Sequence, residues 1–132
     1  MMKIIRIYSA CAGACDALTG LLLMFAPALT LRLMLIPEEV AEPVYIRFIG
    51  AFVFAIGSSY FLPYLQKDPA KRTDRFIAML EITMFVRICI ATFSLTAILS
   101  GLLGMAWISV FATDTLFATT QAILLHRVKS NP

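Results

Sequence analysis

The run Phe76–Leu99, FIAMLEITMFVRICIATFSLTAIL, holds 24 residues, of which only Glu81 and Arg87 are charged. Wound as an α-helix at ~1.5 Å per residue, it reaches about 36 Å, enough to cross the ~30 Å hydrocarbon core of a bilayer. A transmembrane β-strand would instead alternate in polarity over about ten residues and then turn, and this run does neither. Three further stretches have the same character, Ile4–Phe25, Val44–Leu65 and Leu102–Leu125. The expected fold is therefore all-α: one four-transmembrane-helix up-and-down bundle over residues 1–132, with spans at about 4–25, 44–65, 76–99 and 102–125.

Composition points the same way. With 61% hydrophobic and 14% charged residues and a mean hydropathy of +0.88, the chain has too little polar surface to cover a water-soluble globule. The net charge of +3 does not form a nucleic-acid face, because the basic residues stand in short clusters between apolar runs. No nucleic-acid partner is expected, and the lipid bilayer is the first partner.

The clusters also orient the chain. Lys3 and Arg6 precede the first span, Lys67, Lys71, Arg72 and Arg75 lie between the second and third, and Arg127 and Lys129 follow the fourth. With four spans, these eight residues fall on one side, against Arg32 in the opposite segments. Basic residues favour the cytoplasmic side, so both termini are expected there, in a multi-pass arrangement. The acidic stretch Pro37–Pro43 then forms an outer loop, preceded by a short interfacial segment over residues 28–36. Ser100-Gly101 is so short a connection that the third and fourth spans are expected to be antiparallel neighbours. The first span begins like a secretory signal, but Asp16 interrupts it and its length is too great, so it is expected to be retained.

Five ionisable residues remain inside the apolar runs: Asp16, Arg47, Glu81, Arg87 and Asp114. At the helical rise, Asp16 and Arg87 lie roughly 18 Å in from the cytoplasmic ends of the first and third spans and Asp114 roughly 18 Å from the outer end of the fourth, close to the midplane; Glu81 lies about 9 Å from the cytoplasmic boundary and Arg47 about 6 Å from the outer one. A central charge costs on the order of 3 kcal/mol on insertion scales, so three facing lipid would cost about 9 kcal/mol. They are expected to turn inward and pair, either as a network that fixes helix register or as the lining of a polar ligand pocket. The charges stand on stripes of small residues, including Gly13 and Gly20 in the first span and Gly50, Ala51, Gly57 and Ser58 in the second. Such residues let membrane helices approach closely, and these six are the expected packing positions.

Other reactive groups carry little chemistry. Cys11, Cys15 and Cys89 lie in apolar runs and are expected to be small buried thiols, without the partners a metal site requires. His126, the sole histidine, stands at a span end, where an interfacial role is expected. Tyr60 and Tyr64 are expected to serve as anchors or packing residues. No phosphate loop, His-Glu metal pair or nucleophile triad is present, so no catalytic residues, metal or intrinsic cofactor are assigned.

The run Arg47-Phe48-Ile49-Gly50-Ala51, then Ala55-Ile56-Gly57 and Tyr60, followed by Asp68-Pro69 and a basic turn, resembles the DoxX-like small four-helix bacterial membrane proteins. Asp114 with Leu116-Phe117-Ala118 before a basic C-terminal segment continues the likeness over most of the chain. The resemblance implies an up-and-down bundle in a bacterial inner membrane, among relatives some of which are associated with quinol oxidation or sulfur-linked redox complexes. The expected function is that of an accessory subunit or scaffold packing against other membrane subunits or in a homo-oligomer. The alternative is a transporter or binding protein for a proton, an ion or a small hydrophobic molecule such as a quinone, with lipid or quinone as the ligand.

Overall fold

The computed structural model describes residues 1–37 and 43–130. Glu38, Glu39 and Glu42 of the expected outer loop lie outside the described residues. Among the described residues the structure is all helix and turn, with no strand. Five α-helices follow in order: α1 (Met2–Phe25), α2 (Pro27–Leu33), α3 (Pro43–Ser59), α4 (Pro69–Leu99) and α5 (Ile108–Ser130). The chain forms two compact units, Met2–Phe76 and the remainder from Ile77. Among the described residues, three helical stretches are long and apolar enough to cross a membrane: Met2–Phe25, Pro69–Leu99 and Met105–Ser130.

In the first unit, α1 and α3 pack together in antiparallel fashion, with α2 against both. Pro27 restarts the chain as α2, the proline sitting at the helix start where its missing N–H costs no hydrogen bond. The expected interfacial segment is thus a short helix. It ends in a Schellman turn, Ile36 N–H donating to the Leu31 carbonyl (2.8 Å) and Leu35 N–H to that of Arg32 (3.0 Å). The left-handed position of that turn is held by Leu35, at φ 63°.

The second expected span, 44–65, is corrected by the structure. Its α-helix stops at Ser59, and Leu62–Leu65 form a separate 3-10 turn. Pro63 is the reason: its ring would clash with the carbonyl of Ser59 four residues back, and it has no N–H to donate. At 17 residues α3 reaches only about 26 Å, which is why it falls short of the three long helical stretches.

The helix that contains the third expected span begins seven residues before it. Asp68 caps α4, its Oδ1 accepting from the Ala70 N–H (2.9 Å), and Pro69 occupies the first helical position. The polar stretch Pro69–Arg75 is therefore helical, and α4 reaches 31 residues, about 46 Å.

In the second unit, α4 also closes in a Schellman turn, Leu102 N–H donating to the Ala97 carbonyl (2.9 Å), here with Gly101 at φ 74° in the left-handed position. The connection runs on through a 3-10 turn at Met105–Trp107, so the fourth helix occupies 108–130 where 102–125 was expected. Cross-links between α4 and α5 pair ascending with descending residue numbers, Glu81 with Lys129, Thr83 with Gln121 and Arg87 with Asp114, which makes the two helices antiparallel.

Candidate functional site

Two constellations contain the candidate residues, one in each unit. In the first, Gly13, Gly20, Gly50 and Gly57 form a seam where the backbones of α1 and α3 meet. A Cβ on Gly50 would lie 2.8 Å from the Gly20 carbonyl oxygen, and one on Gly13 would lie 2.6 Å from the Tyr60 Cβ. A Cβ on Gly57 would collide with the backbone of Ala17, and one on Gly20 with that of Phe54. Both glycine pairs are spaced by seven residues, two helical turns, so successive close approaches stay on one face. Ala51 and Ser58, beside these glycines, are half-buried. Asp16 is half-buried on α1, its backbone at the point where Gly57 comes closest.

The second constellation is a polar ladder between α4 and α5. Arg87 Nη1 donates to Asp114 Oδ1 at 2.8 Å, with the two side chains only 5% and 13% exposed. The Arg87 guanidinium also lies over the Phe117 ring, 4.4 Å from its centroid, where the ring face attracts a cation. A turn away, buried Gln121 donates through Nε2 to Thr83 Oγ1 (2.9 Å), and Thr83 in turn donates to the Met79 carbonyl (2.8 Å). These bonds satisfy groups whose burial would otherwise cost several kcal/mol, and they fix α4 against α5 at one register.

The expected set of buried charges is narrower than the sequence reading made it. Arg47 is exposed, and Glu81 is 45% exposed and pairs at 2.8 Å with the exposed Lys129. Arg47 stands four residues into α3, where a long side chain can reach a polar environment, and Glu81 meets Lys129 of the last turn of α5, so neither is driven inward. The cysteines also depart from expectation: Cys11, Cys15 and Cys89 are exposed. A thiol is apolar enough to face outward on a helix whose exterior is itself apolar.

Three contacts depend on helix register and are not legible in the sequence: the Thr83–Gln121 bond, Phe117 beneath Arg87, and the Tyr64 hydroxyl on the Arg6 carbonyl. Gln121 was legible as a lone amide in an apolar run, but its partner depends on the α4–α5 register. Tyr64 ties three segments together, its hydroxyl donating to the Arg6 carbonyl (2.7 Å) while its ring meets Phe76 edge-on at 5.0 Å. His126 is exposed near the end of α5. Among the described residues, no three His, Cys, Asp or Glu side chains gather as a metal site would require.

An open apolar groove of about 400 Å³ lies on the second unit, lined by Met84, Ile88 and Leu95 of α4 and by Phe111, Ala118 and Ala122 of α5, among others. Of its threonines, Thr92, Thr96 and Thr119 turn their hydroxyl protons to carbonyls of their own helices, at 2.8, 2.9 and 2.8 Å.

Fold and side-chain distribution together define an all-helical protein with helices suited to a membrane. No protein-family model matches the chain, and no curated protein or solved structure shows significant similarity to it.

Proposed function

We propose that this chain is a multi-pass protein of a bacterial inner membrane, with both termini cytoplasmic, that serves as a small accessory subunit or scaffold of a membrane complex. The observation that carries the reading is an apolar exterior, with several polar side chains turned inward. Leu18, Phe25, Ile82, Phe85, Phe93 and Leu116 are exposed, while Ser9, Thr83, Arg87 and Gln121 are buried. Water would select against so large an apolar exterior, whereas lipid or neighbouring membrane helices favour it.

The accessory role is supported by what the polar groups do. The Arg87–Asp114 and Thr83–Gln121 bonds hold one helix to another, and the glycine seam does the same for α1 and α3. A DoxX-like kinship and membership of a respiratory or other redox assembly are part of this proposal, with lipid or quinone as the accompanying small molecule. Mild extraction from native membranes followed by affinity purification tests it. Defined larger subunits in constant ratio are expected, and a chain that always purifies alone would overturn the subunit reading.

A second reading, binding of a small hydrophobic molecule such as a quinone, is favoured by the α4–α5 groove. Organic extraction of the purified protein separates the two readings, since a binding protein retains its quinone in stoichiometric amount when no partner subunit is present.

A further inference from the structure

We propose that one end of the first unit, where α1 begins and the chain turns from α3 into α4, is a selective binding surface for the head groups of anionic phospholipids. The key is Tyr64. Its hydroxyl holds the Arg6 carbonyl and its ring holds Phe76, so three separate segments converge on one residue. Each segment brings basic side chains: Lys3 and Arg6 from α1, Lys67 from the turn, and Lys71, Arg72 and Arg75 from the first two turns of α4.

Five of these six are exposed. The half-buried sixth, Arg72, folds back to donate to the Gln66 carbonyl through Nε (2.7 Å) and to the Lys67 carbonyl through Nη2 (3.4 Å), fixing the turn that presents Lys67. Lys71 and Arg75 are four residues apart on α4 and share one face. Two acids, Asp68 and Asp74, stand among the six cations, for a net +4, and Asp68 is engaged in capping α4.

The occupant follows from what borders the cations. Phe61, Leu62 and Leu65 are 40%, 57% and 76% exposed immediately before Lys67, forming an apolar lip beside the charges. A soluble phosphate would be held in a cup of buried donors, but these cations are spread and exposed. A phosphodiester carried on acyl chains matches both parts, its head group among the lysines and arginines and its chains against the lip. At the other end of the unit, Arg32 and Arg47 are the basic residues described, without such a gathering.

The proposal rests on the membrane reading above, which alkaline extraction of membranes tests separately. Protein that stays in the membrane yet shows no lipid preference would sink only the present proposal. The experiment is a native mass spectrometry titration of detergent-solubilised protein with phosphatidylglycerol and, separately, phosphatidylcholine. Wild type is expected to prefer phosphatidylglycerol and to lose that preference as salt is raised. The combined variant Lys67→Gln, Lys71→Gln and Arg75→Gln should lose about fivefold per residue, on the order of 100-fold in the affinity ratio. The combined Arg32→Gln and Arg47→Gln control should retain it. Equal preference in the two variants, a wild-type preference indifferent to salt, or displacement of the lipid by inorganic phosphate alone would each overturn the assignment. The salt titration uses wild type only, so the test survives a variant that fails to fold.

Discussion

Gly20 and Gly50 face each other across α1 and α3, so close that a Cβ on Gly50 would stand 2.8 Å from the Gly20 carbonyl oxygen. The relation repeats along the seam. Seven residues back on α1 and seven onward on α3, Gly13 approaches Gly57, whose carbonyl oxygen is 2.9 Å from the Cβ position; one further step joins Arg6 to Tyr64. One antiparallel register thus carries the close approaches and the hydrogen bond that ends them.

Substitution along this seam should therefore be costly in proportion to backbone contact. Gly57→Ala is expected to lower stability by about 1–3 kcal/mol, the usual range for overpacking, and Gly57→Leu by more. Ala51→Leu, at a half-buried neighbour, should be milder. Thermal unfolding in detergent gives the order, and a Gly57→Leu protein as stable as wild type would show that the seam does not exist in the membrane protein.

The Arg87–Asp114 pair makes a different kind of demand, because its members are costly singly and not together. Arg87→Leu should destabilise by about 3–5 kcal/mol, since a buried carboxylate loses its cation. The double change Arg87→Leu with Asp114→Leu should recover much of the loss. Folded yield and melting temperature across the four proteins of this cycle would show additive effects if the two side chains were not coupled.

What the sequence disclosed and concealed divides along physical lines. Long apolar runs fixed the all-helical class, because nothing except lipid or protein can cover 24 residues such as Phe76–Leu99. The glycines at 13, 20, 50 and 57 were legible as packing positions through their spacing. Helix boundaries were less so, as hydropathy marks where a chain is apolar and not where its hydrogen bonds end. Asp68-Pro69 was a visible start signal, a capping carboxylate followed by proline, yet the basic residues after it read as a connection. Pro63 likewise announced the end of α3. The inward or outward aim of a charge could not be had from depth alone: Glu81 and Arg87 each stand twelve residues from an end of α4, yet Arg87 is buried and Glu81 exposed.

Leu35 offers a stabilising change. It holds at φ 63° the place that Gly101 holds at φ 74° in the corresponding turn after α4. A side chain in this region costs roughly 1–2 kcal/mol, and Leu35 recovers little by packing, being 78% exposed. Leu35→Gly is expected to raise stability by about 1 kcal/mol after allowing for glycine's greater freedom in the unfolded chain. Gly101→Leu should lower it, although open space surrounds that position. Melting temperatures moving in the same direction for both would contradict the turn geometry.

The orientation proposed for the chain yields the last expectation, and the structure changes how it must be tested. Eight basic residues flank the apolar runs on one side of a four-span arrangement, so reporters at the N-terminus, at the C-terminus and between α3 and α4 should all report the cytoplasm. A reporter placed among Lys71, Arg72 and Arg75 would interrupt α4, which begins at Pro69, and could invert the result by unfolding it. The turn at Gln66–Lys67 lies outside any helix and is the proper insertion point. A reporter between Glu39 and Glu42 should be external. Because α3 is only 17 residues long, the sharpest outcome concerns that helix: if the Glu39 reporter and the Lys67 reporter lie on the same side, α3 does not cross the bilayer. The N- and C-terminal reporters would then lie on opposite sides, since three crossings remain where four are proposed.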